Sequence, residues 1–219
     1  MTRDEKHRAL QAVADEVELC TLCPLAKTST RGVPGEGNPD AELVFIGEGP
    51  GQKEDELGRP FVGAAGRVLD ELLQHIGLTR GDVFIANVVK HRPPGNRDPL
   101  PGELEACWPY LRRQLEVIRP KIIVLLGKHA VNRFLPGRSI SRVRGRAFRV
   151  GAMVYFPVYH PAAALYQGSL RDVLLRDMEK LPVLLQQIRE GGRMLAAESS
   201  TASPDGQHAR PEASQGELF

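Results

Sequence analysis

The chain has 219 residues, 42% of them hydrophobic and 26% charged, a balance that supports one well-filled core and excludes a wholly disordered chain. Its formal charge of +2 conceals an acidic end: residues 190–219 hold Glu190, Glu198, Asp205, Glu212 and Glu217 against two arginines, so the body is more basic than the whole and mildly favours a polyanionic partner. No apolar run reaches the roughly 18 residues of a membrane span, the first eight residues lack the apolar centre of a signal peptide, and three cysteines are an odd number for a disulfide framework, so a cytoplasmic monomer without membrane contact is expected.

In chain order, Leu10, Val13, Val17 and Leu19 approximate a 3.6-residue period and predict a helix over residues 4–19, with Cys20-x2-Cys23 directly after it. A Gly- and Pro-rich loop (residues 30–40) leads to the run Ala41 to Gly47. Val44, Phe45 and Ile46 read as a strand covered on both faces, and Gly47-Glu48-Gly49-Pro50-Gly51 as a loop whose backbone can turn tightly against a ligand. Gly58 to Gly66 feeds a helix through Ile76, with Val68, Leu69, Leu72 and Leu73 on one face. A second strand spans Val83 to His91 and ends in a proline-rich loop, Arg92 to Pro99. A helix containing Cys107 follows from Pro101 to Ile118, then a third strand at Lys121 to Gly127 and a short helix at Lys128–Phe134.

Gly137 to Arg149 carries five arginines and no acid, which reads equally as a solvated turn or as a phosphate-contacting loop. A fourth strand, Met153 to His160, and a helix over Ser169–Arg189 complete the body. Strands alternating with helices predict an α/β fold: a central four-stranded, mostly parallel sheet with helices on both faces. Ligands of such sheets sit beyond the carboxyl ends of the strands, so Glu48, Asn87 and His160 are expected to meet in one crevice. Residues 1–190 are expected to form one domain, and 191–219, rich in Gly, Ala, Ser and Pro, a disordered tail. Its end, Gln215-Gly-Glu-Leu-Phe219, is similar to the short peptides that ligands of the bacterial replication sliding clamp insert into the clamp; a frayed end is the plainer alternative.

Cys20, Cys23 and Cys107, with His91 between them in sequence, are compatible with zinc in a Cys₃His site or with an iron–sulfur cluster; Cys107 is equally readable as a buried helix residue. Taken together, Gly47 to Gly51, Glu54-Asp55, Gly58-Arg-Pro-Phe-Val-Gly63, Asn87-Val-Val-Lys90, Arg92-Pro-Pro-Gly-Asn-Arg97, Glu105-Ala-Cys107 and His160-Pro161 resemble, in order and spacing, the family 4 uracil-DNA glycosylases with an iron–sulfur cluster. The resemblance covers about Cys20 to Leu181.

That resemblance implies a repair enzyme that flips uracil out of single- or double-stranded DNA and hydrolyses its N-glycosidic bond. It implies a [4Fe–4S] cluster on Cys20, Cys23 and Cys107, with His91 standing where the family usually has its third cysteine. It makes Asn87 the reader of the base edge, Phe61 the stacking ring, Glu54 the acid that crowds the base's C5, and His160 the donor to the developing anion. Gly49 and Gly51 let the backbone approach the base. Glu48, the one acid inside the Gly47–Gly51 loop, is the candidate for orienting or activating water, although other uracil-DNA glycosylases place an aspartate one position later, where this chain has Gly49. Leu165 or Tyr166 would fill the gap left by the flipped base, and Arg142, Arg144 and Arg171 would clamp phosphates. The rival classes are a dinucleotide-binding enzyme, disfavoured because the glycines lack G-x-G-x-x-G spacing, and a non-catalytic metal-containing module that senses flipped bases.

Overall fold

Strand-forming stretches that are apolar on both faces are stable only if both faces are covered. The computed structural model, which describes residues 1–151 and 153–191, meets that demand with a three-layer α/β arrangement. The strands are β1 (Glu36–Gly37), β2 (Leu43–Gly47), β3 (Phe84–Asn87), β4 (Ile122–Leu126), β5 (Phe148–Val150) and β6 (Met153–Val158), in one sheet of order β1-β3-β2-β4-β6-β5. The four inner strands run parallel, with Gly47 opposite Asn87 and Leu126 opposite Val158, while β1 and β5 pair antiparallel at the edges.

The helices are α1 (Arg3–Glu18), α2 (Pro24–Thr28), α3 (Gln52–Leu57), α4 (Ala64–His75), α5 (Pro101–Ile118), α6 (Lys128–Phe134), α7 (Ile140–Val143), α8 (Ala163–Tyr166), α9 (Ser169–Met178) and α10 (Lys180–Arg189). Successive strand residues point to opposite faces, and each face has its own core. Phe45, Ile85, Val124 and Phe156 pack under Leu69, Leu72, Leu174 and Leu181 of α4, α9 and α10. Val44, Ile46, Ile123 and Leu125 pack under Leu111, Val131 and Val143 of α5, α6 and α7. Each such fully buried side chain contributes roughly 1.5–3 kcal/mol.

The expected four parallel strands are present, but the sheet has six. β1 and β5 are two and three residues long and lie in a glycine-rich loop and in the arginine loop, where no apolar run marks them. The second strand ends at Asn87 instead of His91. Beyond it Val88 and Val89 donate to the carbonyls of Gly47 and Glu48, so the chain follows the glycine loop out of the sheet. The helix expected over Ser169–Arg189 is divided at Glu179, because Pro182 supplies no N–H and its ring opposes the carbonyl four residues earlier. The expected tail, with Gln215–Phe219, lies outside the described residues. Among the described residues no helix is long and apolar enough to cross a membrane.

Candidate active site

The carboxyl ends of β2, β3 and β6 open onto a cavity of about 290 Å³ lined by Glu48, Gly49, Gly51, Glu54, Phe61, Asn87 and His160. Residues separated by more than a hundred positions thus form one wall, as the parallel topology requires. Pro93, Asn96 and Arg97 of the proline-rich loop close another side. A larger cavity of about 690 Å³, between β5, β6 and the α9–α10 layer, contains none of the candidate residues.

Asn87 is 1% exposed, and its Oδ1 has no hydrogen-bond partner. A buried amide oxygen left unpaired costs on the order of 1–3 kcal/mol, a cost that an incoming N–H donor would relieve. Its place opposite Gly47 is sterically forced. A Cβ at Gly47 would lie 2.5 Å from Asn87 Oδ1 and 2.5 Å from the Phe61 ring.

Phe61 has φ +52°, a left-handed conformation that costs a non-glycine residue roughly 1–2 kcal/mol. Several contacts hold it there. The Arg80 guanidinium donates to the carbonyl of Pro60 at 2.9 Å and to that of Phe61. Glu54 Oε1 accepts from the N–H groups of Val62 (2.8 Å) and Gly63 (2.7 Å), and its Oε2 from that of Gly51 (3.1 Å). Gly66 leaves room for the Phe61 carbonyl, which a Cβ would strike. The Glu54 carboxylate is therefore a fixed wall of the cavity. The ring so oriented stacks on His160, centroids 5.5 Å apart and planes 28° from parallel.

His160 Nδ1 accepts the Ala162 N–H at 3.2 Å, so in the neutral ring Nε2 carries the proton. Burial lowers its pKa to about 4, with the Glu54 charge opposing and the His129 charge adding to the shift. At neutral pH the ring is a neutral N–H donor. Glu48 is raised by burial, and the nearby His129 charge offsets part of that. Its Oε2 lies 3.4 Å from His129 Nε2, which also lies 3.2 Å from Asp98 Oδ1.

The three cysteines are free. Cys23 and Cys107 share a buried apolar cluster with Val89, Cys20 packs beside it against Val13 and Val17 of α1, and Cys107 Sγ accepts the Lys90 N–H at 3.4 Å. Burial pushes the Cys107 thiol up to about 11, and the neighbouring sulfurs of Cys23 and Cys20 add to that. His91 is 3% exposed with an unpartnered Nδ1. Three thiols and an imidazole with a buried, unpartnered nitrogen are donors of the kind that hold an iron–sulfur cluster.

Of the expected DNA contacts, Leu165 and Tyr166 on α8 are 48% and 91% exposed beside the crevice, and Arg142 is exposed on α7. Arg144 instead pairs with the buried Asp177 at 2.7 Å and lies over Tyr159, and Arg171 pairs with Glu71. Sequence reasoning missed Arg80, Asp98, His129 and Lys90. Lys90 is fully buried, and its Nζ bridges the Pro34 carbonyl (3.0 Å) and Gln114 Oε1 (2.7 Å). Only the lysine's place within a quoted motif hinted at a role.

Comparison with known proteins gives a match of residues 34–181 to the uracil DNA glycosylase superfamily. A protein of Archaeoglobus fulgidus described as a type-4 uracil-DNA glycosylase is 50% identical over 182 residues, 79% of this chain and 92% of its own. Proteins of the same description from Sulfurisphaera tokodaii and Thermotoga maritima are 48% and 47% identical. They cover 79% and 82% of this chain, and 83% and 94% of their own.

Proposed function

The chain belongs to the type-4 branch of the uracil-DNA glycosylase superfamily, and we propose that it excises uracil from DNA with Asn87, Phe61, His160 and Glu48 as its working groups. The observation that carries this reading is the unpartnered Asn87 Oδ1, buried at the wall of a cavity whose other sides are an aromatic ring and a neutral imidazole. Uracil presents an N3–H to that oxygen and an O4 to the amide N–H. Cytosine presents the reverse pattern and would leave both unpaired. Phe61 stacks on the flipped base, for roughly 1–3 kcal/mol, and the backbone of Gly49 and Gly51 passes close to it. Glu54, fixed by three backbone N–H groups, occupies the wall where a thymine methyl would enter.

In the reaction the C1′–N1 bond breaks with its electron pair leaving on the base. Because Nδ1 is occupied by the Ala162 N–H, His160 offers Nε2–H to O2, where negative charge grows, and no proton has to be moved first. Water adds to C1′ and gives its proton to Glu48, and an abasic site remains.

Cys20, Cys23, Cys107 and His91 are the groups that would hold a [4Fe–4S] cluster, His91 through the buried Nδ1 that has no other partner. When bound, the cluster supplies a structural tie between the N-terminal segment, the loop after β3 and α5. Leu165 or Tyr166 fills the space left by the flipped nucleotide and Arg142 contacts phosphate. Arg144 and Arg171 do so only if they leave Asp177 and Glu71. Residues 1–190 form the catalytic domain, and Gln215–Phe219, at the end of an acidic tail, addresses a sliding clamp.

The deciding experiment is incubation of the purified protein with a uracil-containing oligonucleotide followed by alkaline cleavage. Strand scission at the uracil is expected. Binding without scission would instead make the chain a non-catalytic sensor of flipped bases.

A further inference from the structure

We propose that His129, held by Asp98, is a positioning residue for Glu48: it keeps the Glu48 carboxylate ionised and turned into the cavity when the base enters and water leaves. The proposal rests on the assignment of water activation to Glu48. Three separate segments meet here, the loop after β2 (Glu48), the loop after the Pro94–Asn96 turn (Asp98) and the first turn of α6 (Lys128 and His129). His129 Nε2 lies between the two carboxylates, 3.4 Å from Glu48 Oε2 and 3.2 Å from Asp98 Oδ1, and Lys128 Nζ closes the chain at 2.9 Å from Asp98 Oδ2. The His129 side chain is only 13% exposed, and Nε2 is buried without an aligned hydrogen bond. An imidazole nitrogen in that position can turn toward either carboxylate.

Two carboxylates, Glu48 and Asp98, face one ammonium, Lys128, and the imidazole of His129, so a charge on His129 is the one that would balance a charge on Glu48. Burial favours the protonated carboxyl of Glu48 and Asp98 adds to that, while His129 and Lys128 oppose it. Filling the cavity removes more water and strengthens the first effect. Among the described residues no other cation lining the cavity is available to oppose it. Arg97 is committed to Glu103 at 2.6 Å, His160 is neutral at working pH, and Glu54 carries a further negative charge. Without the His129 charge, Glu48 would take up a proton at higher pH and lose its capacity to accept one from water.

The test is the single-turnover excision rate of the full-length protein on a saturating uracil-containing duplex between pH 4.5 and 8, for wild type, His129→Gln, His129→Arg, Lys128→Met and Glu48→Gln. Gln keeps a donor near the Nε2 position without charge. His129→Gln is expected to move the acidic limb to higher pH by about one unit, so that the variant approaches a roughly tenfold deficit low on the limb and reaches the wild-type rate on the plateau, with DNA affinity and melting temperature unchanged. His129→Arg should return the limb toward wild type. Lys128→Met, at a largely exposed position, should shift it the same way by less and serves if His129→Gln does not fold. A wild-type limb in His129→Gln, or in Lys128→Met where that variant substitutes for it, together with a slow Glu48→Gln enzyme, would overturn the proposal and leave Glu48 in its role. A wild-type rate in Glu48→Gln would remove both.

Discussion

Asn87 and His160 are each tuned by what they lack: the amide oxygen has no donor, and the imidazole has no counter-charge close enough to keep it protonated. Both conditions cost stability in the free protein and are repaid by a ligand. Asn87→Ala and His160→Ala are therefore expected to lower the excision rate most, by about two to three orders of magnitude, as when a preorganised donor to a developing anion is removed. Glu48→Ala should lie between them and wild type, since the remaining field still draws in water. Rate ratios from single-turnover assays give the order, and wild-type activity in His160→Ala would end the leaving-group assignment.

His160 also predicts a stability trend. Its folded pKa, about 4, lies below the ordinary 6.5, so between those values the unfolded chain binds a proton that the folded one does not. Its ionisation thus costs nothing above about pH 6.5 and destabilises the fold progressively as pH falls toward 4. His160→Phe should flatten that part of the melting temperature versus pH curve, and an unchanged slope would mean the ring is protonated in place. These two residues were legible in the sequence because amide and imidazole types stood at the ends of apolar strands. Arg80 and His129 were not, because they act through a carbonyl and a carboxylate that only the tertiary fold brings near.

At the level of elements, the turn from Pro60 to Gly63 is held from outside itself. Arg80, from the segment after α4, also reaches Asp70 at 2.6 Å and Glu36 on β1 at 3.1 Å, so one guanidinium links an edge strand, a helix and the stacking turn. Arg80→Met should release Phe61 from its left-handed conformation. Weaker substrate stacking is expected, with kcat/KM down on the order of tenfold, or about 1.4 kcal/mol, mostly in KM. Arg80→Lys, which restores charge but not the forked geometry, should recover little. An unchanged KM in Arg80→Met would show that Glu54 and Gly66 suffice. The α4 and α5 helices were readable because each is a long segment, and the inner strands because each is an unbroken apolar run. The short α2, α3, α7 and α8 were not, because four to six residues carry no period.

On the scale of the whole molecule, polar contacts pin the segment between α2 and β1 to the rest of the fold. Asp55 takes the N–H groups of Thr30 and Arg31, at 2.8 Å and 3.2 Å, and Lys90 and Gln114 both bind the Pro34 carbonyl. The four candidate cluster ligands straddle the same junction. His91→Ala is expected to lower iron content and melting temperature while leaving the excision rate of the iron-replete fraction within about twofold. Full iron content in that variant would exclude His91 as a ligand. Cys20-x2-Cys23 stood out in the sequence as spacing, Cys107 joined it only through the family resemblance, and the partnerless His91 nitrogen is seen only in the fold. The two shortest strands have a different consequence. By closing the sheet with two residues on one side, among them Gly37 at φ +132°, and three on the other, they leave little unpaired backbone ribbon for a second copy to extend. The fold is thereby guarded against strand-by-strand aggregation.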